Sequence, residues 1–394
     1  SVLIWFLTMA AVVWSLVIPV DSRLLALQRG AFGLALSGTV GVALSAFVGD
    51  GAPLMNNYVP VLQRPFFFVS LGIFGLGIAL QSLAALSAAR GAFGGGQVQL
   101  PALAGLTISV AVIVALAALA TAWVQMPAGV EGQGYYEYLF WGAGHTLQFA
   151  YTQLLLLAWL LLAVHSGVAL PWKRRWIIGL LLLGVAPVLL TPLIYLLYDT
   201  VTIESRTAFI RQMQFGGGIA AIPLGLLVLI GLSRANAADG AGRPLRRSLW
   251  MSLLLFFSGG LIALLISGIN TIIPAHYHGS IVGVTLGLMG LAYLLLPLLG
   301  YAPARGRLAD FQPWIYGFGQ LLHITGLAVS GAMGIQRKTA GAAQGLDSLA
   351  AKVAMGVTGL GGLLAVIGGI LFVWIMLRAF WHGRNTSSSS QEAA

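Results

Sequence analysis

The sequence predicts an all-α, polytopic transmembrane helix bundle of about 11 spans. Three observations carry this. The 394 residues are 59% hydrophobic and only 8% charged, far less charge than the roughly 25% of a soluble domain. Apolar runs of about 20 residues recur along the chain, the length that crosses a bilayer as helix. Sustained strand-type alternation is absent, which argues against a membrane β-barrel.

The spans are expected near residues 2–20, 30–49, 66–89, 101–124, 139–166, 176–198, 212–233, 249–272, 277–300, 313–335 and 353–378. Pro187, Pro192 and the three glycines after Phe215 interrupt two of them. Inside a bundle such residues serve kinks and close packing. Residues 1–381 read as one bundle and residues 382–394 as a polar tail, ending in "NTSSSSQEAA", a composition that favours disorder. The chain opens at Ser1 on what already reads as membrane helix, and further sequence is expected upstream.

Orientation follows from the loops. Fourteen of the 20 Lys and Arg fall on one set of alternate loops, from Arg23 and Arg29 to Arg378 and Arg384. The other six are Arg64, Arg206, Arg211, Arg337, Lys338 and Lys352. The positive-inside rule makes the first set cytoplasmic, and puts the C-terminus there too. The net charge of +10 reflects that bias and gives no reason to expect nucleic acid. The absence of cysteine excludes disulfides, thiolate metal sites and covalent c-type haem attachment.

This topology gathers three histidines and two cations toward the outer face. His145 enters with span 5, His276 and His278 open span 9, and Arg337 and Lys338 follow span 10. His323 sits deeper in span 10, where it reads equally as a hydrogen-bonding core residue. His165 and His382 fall near the cytoplasmic side, where interfacial decoration accounts for them. Successive helical residues turn by about 100°, so His276 and His278 point to nearly opposite sides of one helix. They are poorly placed to chelate one ion, as an i,i+4 pair does. Each can instead offer a ring nitrogen to its own cofactor. Haem iron takes axial histidine, and haem propionates take cations such as Arg337 and Lys338.

The stretch "AHYHGSIVGVTLGLMGLAYLLLP" resembles the His-x-His helix of subunit I of the haem–copper oxidases. "YYEYLFWGAGHTLQFAY", "ESRTAFIRQMQFGGGIAAIPLG" and "HITGLAVSGAMGIQRKTAG" resemble further segments of that subunit, in the same order along the chain. The resemblance implies a twelve-helix bundle in which span 1 corresponds to the second helix. It implies two haems, b-type in keeping with the missing cysteines. His276 would be the ligand of one and His278 of the other, with propionates on Arg337 and Lys338. His145 stands at the first copper-ligand position. The resemblance also implies membrane lipid, other respiratory-complex subunits and a c-type cytochrome donor as partners, in the cell inner membrane.

The departures are equally specific. Ile194 and Tyr195 stand where the family has two consecutive copper histidines. Phe149 replaces its crosslinked tyrosine, Leu147 its proton-path glutamate and Leu227 its proton-path lysine. A single neutral histidine does not hold copper or non-haem iron, which want three or more N/O ligands; Tyr195, Tyr198 and Gln148 are its nearest candidates for help. The expected function is therefore a haem-binding membrane subunit for electron transfer or small-ligand binding, without an intact copper site and with no catalytic residue assigned. The alternatives are an active oxygen or nitric oxide reductase with an atypical binuclear centre, and a transporter or haem-delivery protein. The last predicts inverted repeats around a midplane site, and no internal repeat is visible.

Overall fold

The computed structural model describes residues 22–92, 99–339 and 341–389. The chain is a helical membrane protein. Among the described residues nine helices are long and apolar enough to cross a membrane. In hydrocarbon a backbone satisfies its N–H and C=O groups only within itself, which is why long apolar runs become continuous helices. The expected span at 2–20 lies outside the described residues.

Cα packing divides the chain into two compact units. The first runs to Leu157 and includes Trp172–Leu224; the second comprises Ala158–Pro171 and the chain from Gly225 onward.

In the first unit α1 (Ser22–Leu44) packs on α2 (Pro65–Ala92), and α2 on α3 (Leu100–Val124). Small residues set that approach. A side chain at Gly38 would run into Phe74, one at Gly41 into Ser70, and one at Gly77 into Ala31 and Ala35. Between α1 and α2 sits a short antiparallel hairpin, β1 (Pro53–Leu54) with β2 (Val61–Leu62), which the hydropathy pattern does not announce. Arg64 secures it, donating to the carbonyls of Ser45 and Ala46 at 2.7 and 3.0 Å.

α4 (Gly132–His165) starts seven residues before the apolar run predicts. Its 34 residues extend for about 50 Å, so its first turns, with Tyr135, Tyr136 and Tyr138, rise beyond the hydrocarbon. The next span is broken as its prolines predict: α5 (Arg174–Val185), a 3₁₀ turn at Ala186–Leu189 and α6 (Leu190–Leu197). Its successor is broken at the glycines into α7 (Ile203–Gly216) and α8 (Ala221–Arg234). Thr202 caps α7 by accepting from Ser205 N at 3.2 Å, which starts the helix nine residues before the apolar stretch. The two breaks meet inside the first unit. Gln212 Nε2 donates to the Pro187 carbonyl at 2.8 Å and to Thr191 Oγ1 at 2.9 Å, and a Cβ at Gly216 would press on the Pro187 ring.

The second unit holds α9 (Gly242–Ala263), α10 (Ile272–Leu298), α11 (Arg307–Ala332) and α12 (Leu349–Ser389). α10 packs on both α9 and α11, and α11 packs along α12. α10 begins five residues earlier than predicted, because Asn270 Oδ1 accepts from Ile272 N at 3.0 Å and Pro274 is tolerated in a first turn. α11 is long enough to span but is not among the nine apolar helices. Arg307, Asp310, Gln312, Gln320 and His323 make it the more polar element. α12 continues past residue 381 to Ser389, so the start of the expected polar tail is helical.

Candidate functional site

His145 sits on α4 within the first unit, buried in an aromatic box. Its ring lies 4.6 Å from Trp141, 5.4 Å from Tyr58 and 6.2 Å from Phe209, centroid to centroid. Tyr58 arrives from the β1–β2 hairpin. An Asx turn aims it there, with Asn56 Oδ1 accepting from Tyr58 N at 3.0 Å and Val59 N at 2.9 Å. Gly144 makes the room, since a Cβ there would strike the Tyr58 ring. His145 Nδ1 lies 2.9 Å from the Trp141 carbonyl and 2.8 Å from the Tyr58 hydroxyl. With the proton on Nδ1 the Trp141 carbonyl accepts it and Nε2 is the basic nitrogen; with the proton on Nε2 the Tyr58 hydroxyl donates to Nδ1.

Gln148 donates to Tyr58 Oη at 3.1 Å. The Arg206 guanidinium rests 4.2 Å above the Trp141 ring, a cation–π contact. Tyr195 is buried against Phe209, 5.3 Å between centroids. The roles of Tyr58 and Arg206 carry no local sequence signal. Tyr58 is 87 residues from His145 and reaches it only through the hairpin.

In the second unit the structure brings His276, His278, Arg337 and Lys338 to one end. After α11, Gly334 adopts a left-handed conformation, φ 85°, and Ile335 N closes back on Ser330 O at 3.1 Å. The following residues are stapled to the start of α10. Asn270 and Gln336 form an isolated antiparallel bridge, and Thr271 N donates to Ile335 O at 3.0 Å. Arg337 and Lys338 come next in the chain. Lys338 holds φ at 61°, a left-handed conformation uncommon for any residue but glycine.

His276 faces α9. Its Nδ1 donates to Gly259 O at 2.8 Å. That carbonyl is within reach because the helices cross backbone to backbone. A Cβ on Gly259 would meet Gly279 and Ser280, and one on Gly283 would meet Phe256. The tether orients the ring and leaves Nε2 as the lone-pair nitrogen, the arrangement that supports metal-ligating histidines.

His278 faces the other way, toward α11. Its Nδ1 donates to Pro274 O at 2.8 Å, and its ring centroid is 4.9 Å from that of His323. His323 in turn donates from Nδ1 to Thr358 O of α12 at 2.9 Å. An iron held between two imidazoles would space their centroids by about 6.4 Å, so this pair does not flank a haem at its present spacing. His165 and His382 are exposed and donate to their own helices, to Leu161 O and Arg378 O. Among the described residues no group of three or more His, Cys, Asp or Glu forms a metal-binding cluster.

No family model matches the chain. A protein of Rickettsia prowazekii (strain Madrid E) known as uncharacterized protein RP382 is 28% identical over 445 aligned residues, covering 95% of this chain and 85% of that protein. An uncharacterized protein of Aquifex aeolicus (strain VF5) is 33% identical over 280 residues, covering 71% of this chain and 69% of that protein.

Proposed function

The chain belongs to one family with the Aquifex aeolicus protein, and we propose that it is a haem-binding integral membrane subunit, resembling subunit I of the haem–copper oxidases, that carries electrons or binds a small ligand. One observation carries the reading. His276 is half-buried, fixed through Nδ1 on the Gly259 carbonyl, and placed at the same end of its unit as Arg337 and Lys338. A neutral imidazole with a tethered Nδ1 and an open Nε2 is what an axial ligand requires. When bound, haem would supply one-electron chemistry or an open coordination position for a small ligand.

The chain's own residues hold and tune that group. His276 would supply Nε2, and Gly259 O fixes the tautomer and orientation of the ring by accepting from Nδ1. Arg337 and Lys338 neutralise propionates, with charge-assisted hydrogen bonds of about 1.5–3 kcal/mol each. His278, on the opposite side of α10, serves a separate centre. His145 offers one imidazole among aromatic rings and Gln148. That donor set does not favour an active binuclear reductase. The charge count supports an orientation with the His276 end outside the inner membrane, on the side of a c-type cytochrome donor.

The test is a reduced-minus-oxidised spectrum and a pyridine haemochrome assay on purified protein. We expect b-type bands that disappear in H276A. Wild-type protein without haem bands would refute the reading and return the transporter alternative.

A further inference from the structure

The face of α10 opposite His276 presents an imidazole pair, of which the resemblance assigns only His278. His278 and His323 approach to 4.9 Å between ring centroids, with their planes inclined by 54°. Both Nδ1 atoms are committed to carbonyl oxygens, Pro274 O at 2.8 Å and Thr358 O at 2.9 Å. Both therefore carry their proton on Nδ1 and present a lone pair on Nε2. The Nδ1 and Cε1 atoms of His323 lie toward Gly362 of α12. His278 is exposed and His323 is half-buried, which gives the pair an open side and a fixed side.

Spacing separates the possible occupants. With metal–nitrogen bonds of about 2.05 Å, two imidazoles across one iron stand about 6.4 Å apart, centroid to centroid. On one ion they stand about 5.2 Å apart at a tetrahedral angle and about 4.5 Å at a right angle. The observed 4.9 Å falls between the last two. Three features thus coincide: two lone-pair nitrogens, a cross-helix tether that fixes the His323 ring, and a one-ion spacing. We propose that His278 and His323 form a two-histidine site for a divalent transition cation of the Zn²⁺ and Cu²⁺ class, with water completing the coordination. The site does not depend on haem at His276. Arg337 and Lys338, at the same end of the unit, oppose a bound cation and keep its affinity moderate.

The experiment uses the full chain with a non-histidine tag, purified in detergent and titrated with Cu²⁺. We expect one Cu²⁺ per chain, competed by Zn²⁺, with an EPR signal split by two imidazole nitrogens. H278A and H323A should each weaken binding by about tenfold or more and reduce the splitting to one nitrogen. H323Q is measured alongside H323A, with a thermal melt, so that misfolding is not read as lost ligation. H165A should bind as the wild type does. Unchanged affinity and a two-nitrogen signal in the folded His323 variants would overturn the proposal. So would a haem whose bands vanish in H278A and persist in H323A. Absence of haem from the wild type would refute the haem reading alone, because the copper titration needs no haem.

Discussion

Two histidine environments, His145 in the first unit and His276 in the second, differ in what holds the ring. His145 is tied to its own helix, four residues back at Trp141 O, and walled by Tyr58, Trp141 and Phe209. His276 is tied across to a neighbouring helix at Gly259 O and lies at the end that carries Arg337 and Lys338. An i−4 tether comes with the helix and says little, since the exposed His165 and His382 make the same bond. A cross-helix tether requires two backbones to meet at a chosen level. Only His276 and His323 make one among the described histidines, and each belongs to one of the two centres proposed above.

The comparison breaks most sharply on paired alanine variants. H276A should abolish the haem bands, whereas H145A should retain them; optical spectra decide. If H145A loses the haem and H276A keeps it, the assignment is reversed. Next in size, G259V forces a branched side chain into Gly279 and Ser280. It should cost about 1–3 kcal/mol or more and remove haem together with stability, seen as a lowered melting temperature in detergent.

Third, R337Q with K338Q should leave haem bound but shift its midpoint potential downward, because cations near the propionates favour the reduced, less positive iron. Spectroelectrochemical titration measures that shift. The smallest effect is expected from Y58F, which removes one hydroxyl from Gln148 and His145, at about 0.5–1.5 kcal/mol. Its haem content should match the wild type.

Much of the fold was legible because hydrocarbon leaves the backbone no choice. The apolar runs at 66–89 and 101–124 match α2 and α3 within a few residues. Helix starts were legible only where they were apolar. α7 begins in a charged segment set by the Thr202 cap, and α10 begins before its apolar run, so His276 and His278 lie inside the helix. That these histidines share an end with Arg337 and Lys338 followed from loop counting. The approach of His278 to His323 did not. The polar residues of α11 fall on no single stripe that says which face turns inward, so its rotational phase had to come from packing. There Gly319, Gly326 and Gly361 let α11 and α12 touch backbone to backbone. The hairpin that brings Tyr58 over His145 was equally silent, since its four strand residues make no pattern long enough to detect.

The two broken spans of the first unit also bear on how the chain enters the membrane. An unpaired polar group in hydrocarbon costs several kcal/mol, and Gln212 Nε2 finds its acceptors, Pro187 O and Thr191 Oγ1, on the span before it. The span that carries Gln212 meets these acceptors only while the span at Arg174–Leu197 stays beside it. Biogenesis must therefore treat these two spans as a single passenger, retained beside the insertion machinery until both have emerged and released to lipid as a pair.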